Sequence, residues 1–153
     1  MALEDLYQEL ILDHYKQPRG RGEPEHFDVH VHHANPLCGD ELDLWLGVED
    51  GKLKILGFDG DGCSISMASA STMTQANTGR DMEDSLDVVE AFREMMHGEP
   101  IRREDDLGDG VAFSGVAKFP VRVKCALLGW MALRDAITTY QAGRTTNSVT
   151  IDE

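Results

Sequence analysis

Residues 42–58, LDLWLGVEDGKLKILGF, decide the fold of this chain. Apolar side chains occupy alternate positions in residues 42–48 and return in residues 53–58, which is typical of strands with one buried face. Asp50-Gly51 separates the two runs, and this dipeptide favours a tight turn between antiparallel strands. The stretch therefore predicts a β-hairpin.

The residues before the hairpin predict one more strand and a helix. Apolar and polar residues alternate in residues 27–31, so a third strand is expected to join the hairpin. Residues 3–14 repeat apolar side chains at three- to four-residue spacing until Pro18, which predicts an amphipathic N-terminal helix. His14 follows that spacing, and we expect it to be a hydrogen-bonded packing residue.

The residues after the hairpin predict three helices. Small side chains in residues 63–79 indicate a buried helix, and residues 82–96 repeat apolar side chains at helical spacing. A proline begins and a glycine ends the last helix, residues 120–143. The charged, aperiodic residues 98–110 predict a solvated surface loop, and residues 144–153 predict a frayed polar tail.

These elements predict an α+β fold, a small antiparallel three-stranded sheet packed against about four to five helices. At 153 residues the chain is long enough for one hydrophobic core. We expect a single domain over residues 1–143, followed by the tail.

The charge of the chain excludes several classes of function. There are 28 acidic and 14 basic residues, a net charge of −14 at pH 7, which would repel nucleic acid and anionic membranes. No run approaches the roughly 20 apolar residues of a membrane span, and the first residues lack the features of a secretion signal. We therefore expect a cytoplasmic protein with no nucleic-acid or membrane partner.

The three cysteines carry the candidate chemistry. Cys38 precedes a predicted strand in a Cys-Gly-Asp triplet with Asp40, while Cys63 and Cys125 lie near the starts of two helices. A helix N-terminus lowers the pKa of a thiol and favours the thiolate that binds metals. Their spacing matches no zinc finger or zinc ribbon. The pattern alone therefore indicates only thiolates that could share a metal.

Four blocks together resemble a known family. Residues 12–22 (LDHYKQPRGRG), 35–40 (NPLCGD), 60–66 (GDGCSIS) and 119–125 (FPVRVKC) resemble the U-type iron–sulfur cluster scaffolds, the IscU and NifU N-terminal type. The resemblance is greatest to the SufU branch. Two features favour that branch: the charged insertion before the third cysteine, and Lys124, which stands where IscU proteins carry a histidine.

The resemblance implies a zinc ion bound by Cys38, Asp40, Cys63 and Cys125, in a metal site at one end of the domain. It also implies a protein that accepts persulfide sulfur from the cysteine desulfurase SufS and serves the downstream Suf iron–sulfur assembly complex. Thiolate ligands suit zinc, and they suit iron–sulfur clusters equally. Three thiolates and a carboxylate would leave the site negative, and Lys124 is the neighbouring cation that could offset this charge.

Two residues are assigned roles in sulfur transfer. We hypothesise that Cys38 is the sulfur acceptor, since its glycine-flanked loop can move, and that a group from SufS replaces it on the metal. Arg122 is expected to support the transfer by reaching the partner or the metal loop.

Three functional hypotheses remain at this level. The chain is a zinc-dependent sulfurtransferase, or a scaffold that assembles a [2Fe–2S] cluster, or an adaptor in which zinc is structural. His30, His32 and His33 are interpreted as a surface patch rather than a second metal site.

Overall fold

The computed structural model describes residues 3–36 and 39–150. The elements in chain order are α1 (Leu3–Lys16), β1 (Val29–Asn35), β2 (Asp40–Glu49), β3 (Lys52–Asp61), α2 (Ser64–Asn77), α3 (Met82–Met96), α4 (Glu104–Leu107), a 3₁₀ helix (Gly108–Val116), α5 (Pro120–Gln141) and β4 (Thr146–Thr150). The predicted α+β class is confirmed.

The sheet contains the three antiparallel strands that the sequence predicts. β1 pairs with β2 and β2 with β3, so that Leu44 lies between Val31 and Phe58. At the hairpin turn both Asp50 (φ 54°) and Gly51 (φ 74°) have positive φ. Turns of this kind match the twist of the strands that they join. The hairpin therefore forms where its turn dipeptide predicts.

The sheet also contains a strand that the sequence analysis missed. β4 pairs in parallel with the free edge of β1, with His30 opposite Thr146, and gives the order β3-β2-β1-β4. The backbone of residues 146–150, expected to be frayed, is therefore hydrogen-bonded. Strand pairing at an existing edge uses backbone groups and needs no apolar alternation, which explains the miss.

The core lies between one face of the sheet and the helices α2 and α5. α2 is buried along most of its length, as its small side chains predict. A Cβ atom added at Gly129 of α5 would lie 3.1 Å from the Cα atom of Ala70, so these two helices cross closely. Beside this crossing, the rings of Phe92 and Trp130 stack with centroids 4.2 Å apart. The packing fixes α5 against α2.

The charged insertion is more ordered than a solvated loop. It forms α4 and leads into the 3₁₀ helix, and Leu107 and Phe113 are fully buried. Arg103 pairs with Asp84 and Asp87 of α3, at 2.8 and 3.1 Å. The loop prediction relied on the charged residues of this segment, and some of these residues attach the segment to α3 through ion pairs.

His14 connects three separate parts of the chain. It is buried, with Nδ1 2.7 Å from Ser71 Oγ on α2 and Nε2 2.8 Å from Asp109 Oδ2 in the 3₁₀ helix. The prediction that His14 is a hydrogen-bonded packing residue is confirmed.

Within the described part of the chain, no helix combines the length and apolar character that crossing a bilayer requires.

The variant His14→Ala is expected to lower the free energy of unfolding by about 1–3 kcal/mol, because it removes a buried side chain together with its hydrogen bonds to Ser71 and Asp109. Urea denaturation followed by circular dichroism measures the change. The exposed His26 provides the control, and His26→Ala should cost under about 0.5 kcal/mol. Equal effects of the two variants would contradict this role for His14.

Candidate metal centre

Asp40 reaches the centre from the first position of β2. It is buried and lies opposite Asn35, the last residue of β1. The preceding Gly39 has φ 74°, a conformation that favours glycine, so the loop can turn sharply into the strand. The end of the β1–β2 pair therefore positions this carboxylate.

Cys63 reaches the centre from the N-terminus of α2. Its backbone N–H donates to Asp40 Oδ1 at 3.0 Å, and its Sγ lies 3.8 Å from Asp40 Oδ2. Ser66, one turn along the helix, donates its hydroxyl to Asp40 Oδ2 and lies 3.5 Å from Cys63 Sγ. The thiol and the carboxylate are thus held by the same helical turn.

Cys125 completes the group from the second turn of α5. It is buried, and its Sγ lies 3.7 Å from the carbonyl oxygen of Val121. Candidate ligand atoms of Asp40, Cys63 and Cys125 all lie within 4.8 Å of one another. Among the described residues, Cys63 and Cys125 are not joined to each other by a disulfide. The structure therefore brings together three of the four residues that the sequence analysis assigned to a metal.

Cys38, assigned as the fourth ligand and as the sulfur acceptor, lies outside the described residues. Its role stays a prediction.

The electrostatics of the group suit a soft divalent metal. A hydrogen bond with Cys125, supported by Ser66, lowers the pKa of the Cys63 thiol to about 5, against the opposing effects of burial and the Asp40 charge. A thiolate and a buried carboxylate then lie side by side, an arrangement that a cation stabilises. Two thiols and a carboxylate, with sulfur in the majority, fit zinc or an iron–sulfur cluster and do not fit calcium or magnesium.

The predicted cations lie at the rim of the centre. Arg122 is exposed and Lys124 is half-buried. In the described part of the chain, neither side chain hydrogen-bonds to Asp40, Cys63 or Cys125. Beside them, Phe119 and Val121 are 55% and 69% exposed. The rim therefore presents apolar and cationic groups to solvent, a combination that the sequence analysis did not identify.

The three neighbouring histidines do not form one patch. His30 and His32 both contact Asp43, at 2.8 and 3.1 Å, on the partly exposed face of the sheet. His33 points to the other face and is buried, with Nε2 3.1 Å from Asp135. The surface interpretation is therefore wrong for His33, which follows Val29 and Val31 on the buried side of β1.

A family model described as the NifU-like N-terminal domain matches residues 6–126. The chain is 44% identical over 141 residues to the zinc-dependent sulfurtransferase SufU of Bacillus subtilis, covering 92% of this chain and 95% of that protein. It is 38% identical over 135 residues to the iron–sulfur cluster assembly scaffold protein IscU of Streptococcus pyogenes, covering 88% and 84%.

A crystal structure from Fervidobacterium islandicum agrees with these relatives. That protein, named as a candidate iron–sulfur cluster assembly scaffold for the SUF system, superposes with a TM-score of 0.80 at 32% identity and covers 89% of this chain and 99% of its own. The chain belongs to the NifU-like N-terminal domain family of U-type iron–sulfur cluster assembly scaffolds, and within it to the SufU branch.

Two residues that support the centre were not predicted from the sequence. Gly62 leaves room for Asp40, since an added Cβ would lie 3.1 Å from Asp40 Oδ1 and 3.2 Å from the Met67 methyl group. Ser66 orients the same carboxylate. Only the spacing of three residues between Cys63 and Ser66, one helical turn, could have pointed to the serine.

The variant Gly62→Ala is expected to weaken zinc binding about 10- to 100-fold, because the new methyl group displaces the Asp40 carboxylate. Competition with a chromogenic chelator measures the affinity. Gly115→Ala is the matched control, since a Cβ there meets no atom within 4 Å, and it should bind zinc like the parent protein. Unchanged affinity in Gly62→Ala would show that the carboxylate position does not govern metal binding.

Proposed function

We propose that this chain is a zinc-dependent sulfurtransferase, which accepts persulfide sulfur from the cysteine desulfurase SufS and relays it to the Suf iron–sulfur assembly complex. One observation carries the proposal. Asp40, Cys63 and Cys125 converge in a chain that is 44% identical to a zinc-dependent sulfurtransferase along nearly its whole length.

In this proposal Cys38, Asp40, Cys63 and Cys125 hold the zinc ion. Zinc bound by these residues supplies a Lewis acid that keeps thiols deprotonated at neutral pH. The chain's own contribution is orientation. Ser66 and the backbone N–H of Cys63 hold the Asp40 carboxylate, and α2 and α5 hold the thiols of Cys63 and Cys125.

Cys38 is the proposed acceptor. Cys63 caps the packed helix α2 and Cys125 belongs to the packed helix α5, whereas Cys38 directly precedes a glycine, Gly39, in the sequence. The Cys38 thiolate attacks the terminal sulfur of the desulfurase persulfide. A new sulfur–sulfur bond forms on Cys38 as the old one breaks, and the desulfurase cysteine leaves as a thiolate. The exchange needs no added oxidant or reductant.

Arg122 is the proposed contact with SufS. Its exposure, next to the exposed apolar side chains of Phe119 and Val121, suits a protein–protein contact at the rim of the centre. The acidic net charge favours a protein over nucleic acid or a membrane as the partner. We place both proteins in the cytoplasm and assign the activity to one domain, residues 1–143, to whose sheet the following segment adds β4.

A second candidate function is a scaffold on which a [2Fe–2S] cluster is assembled. It is supported by the 38% identity to a protein named as an IscU scaffold and by the affinity of thiolates for iron–sulfur clusters. Metal analysis of protein purified without oxygen separates the two. A colourless protein with about one zinc ion per chain favours the sulfurtransferase, whereas a coloured protein with iron and sulfide favours the scaffold.

The variant Cys38→Ala is expected to abolish sulfur acceptance, because the attacking thiolate is removed. The parent protein is mixed with the desulfurase and cysteine, alkylated and digested, and mass spectrometry locates the added sulfur atom. We expect it on the peptide that contains Cys38. Persulfide on another cysteine, or full transfer by Cys38→Ala, would contradict the assignment. Zinc-loaded protein that accepts no sulfur at all would leave zinc with a structural role in an adaptor.

The variant Arg122→Ala is expected to reduce stimulation of the desulfurase by about ten-fold or more while the zinc content stays unchanged, because Arg122 contacts the partner and not the metal. Sulfide release and metal content are measured on the same preparation. Arg144→Ala, an exposed arginine beyond the far end of α5, is the matched control and should behave like the parent. Parallel loss of zinc and stimulation in Arg122→Ala would overturn this role.

A further inference from the structure

A groove with a volume of about 920 Å³ runs along α5, between β1 and the C-terminal end of α3. It lies on the face of α5 opposite to the one on which Gly129 contacts α2. Its apolar wall includes Met96, Leu127 and Met131. We call this the α3–α5 groove. Its volume is at the upper end for small-ligand sites, and it is open to solvent along one side.

The groove adjoins the metal centre without being part of it. Lys124 lines the groove and directly precedes the candidate ligand Cys125 in α5. Asn35 also lines it and is the strand partner of Asp40. An occupant of the groove therefore contacts α5, which carries Cys125, and β1, whose last residue pairs with Asp40.

The charge of the groove is opposite to that of the chain. Arg93, Lys124 and Arg134 line it, and the acidic residue among the described lining is Asp135. Arg93 pairs with Glu90, while Lys124 and Arg134 form no ion pair with the described side chains. In a chain with a net charge of −14, this is a local cationic surface.

The floor of the groove contains a polar atom with no hydrogen-bond partner in the described part of the chain. His33 is buried, and burial lowers the pKa of its imidazole in spite of Asp135. The neutral ring donates from Nε2 to Asp135, which leaves Nδ1 as an acceptor. Nδ1 has no hydrogen-bond partner among the described residues. Because Nδ1 is closed off from solvent, a donor in the groove reaches it only after the His33 ring moves toward the groove.

We propose that the α3–α5 groove docks a short extended segment of a partner protein, in which acidic and apolar side chains are combined. Acidic side chains match Lys124 and Arg134, and apolar side chains match the wall. A free amino acid or similar small anion would leave most of the volume empty. A second copy of this chain is disfavoured because both copies carry the same large negative charge. The proposal does not depend on the chemistry of the metal centre.

A display library of random 12-residue peptides, selected on the full-length metal-loaded protein, tests the proposal. The enriched peptides are expected to combine Asp or Glu with Leu, Ile or Phe. Fluorescence polarisation then measures their affinity for variants. Arg134→Glu should weaken binding by at least about ten-fold, because like charges oppose each other in the groove, and binding should weaken with added salt.

Two further variants make the test specific. Met131→Ser changes only the apolar wall and should also weaken binding. Lys54→Glu makes the same change of charge at an exposed lysine on β3, away from the groove, and should leave the affinity unchanged. Circular dichroism and metal content confirm that each variant is folded and loaded.

Several results would overturn the proposal. These are a failure to enrich any peptide, enrichment of basic peptides, or an equal loss of affinity in Lys54→Glu. A dimer of the parent protein that dissociates in Arg134→Glu, seen by size-exclusion chromatography with light scattering, would assign the groove to a second copy instead.

Discussion

The hydrogen bonds that Asp40 accepts are the constraint on which the candidate centre depends. One carboxylate oxygen receives the backbone N–H of Cys63 and the other receives the hydroxyl of Ser66, so Asp40 joins the start of β2 to the first turn of α2. A carboxylate is stabilised at a helix N-terminus, where N–H groups lack partners within the helix. The hydrogen bonds of the fold itself therefore hold a carboxylate oxygen beside Cys63.

Glycines and small residues make that junction geometrically possible. Gly60 lies so close to the backbone of Glu41 that a side chain there would clash, and Gly62 leaves the space in which the Asp40 carboxylate lies. Further along, Gly129 lets α5 approach Ala70 of α2. This close crossing brings the N-terminal part of α5, with Cys125, to the same end of the molecule as Cys63. The centre is thus a consequence of backbone proximity at a few positions that only small residues allow.

The elements that bury one face at regular intervals along the chain could be predicted from the sequence. Strands β1 to β3 and the long helices were predicted because alternate or helical spacing of apolar residues reflects one buried face. The convergence of Asp40, Cys63 and Cys125 was expected only through the family resemblance, since their spacing along the chain carries no three-dimensional information. The short helix α4 was missed because its residues are almost all charged, and its pairing with α3 is a tertiary effect.

Two other misses have different physical origins. Ser66 resembles the other serines of a helix rich in serine and alanine, and its contact with Asp40 depends on a strand that is distant in sequence. His33, in contrast, could have been placed correctly. It continues the alternation of Val29 and Val31, but a histidine beside two partly exposed histidines suggested a shared surface. For the position of His33, the alternation along the strand was a better predictor than the residue type.

Because the surface as a whole is acidic, the few cations on α5 are the positions at which an anionic partner can be attracted. At a net charge of −14, long-range electrostatics oppose the approach of most anionic partners, and attraction must be local. Arg122 stands at the rim of the metal centre and Arg134 in the α3–α5 groove, so one rigid helix carries both positions as well as Cys125. A partner that contacts both positions would be oriented relative to the thiols by the helix itself. Specificity would then come from the spacing of charges along α5, while the acidic remainder of the surface excludes anionic partners that lack that spacing.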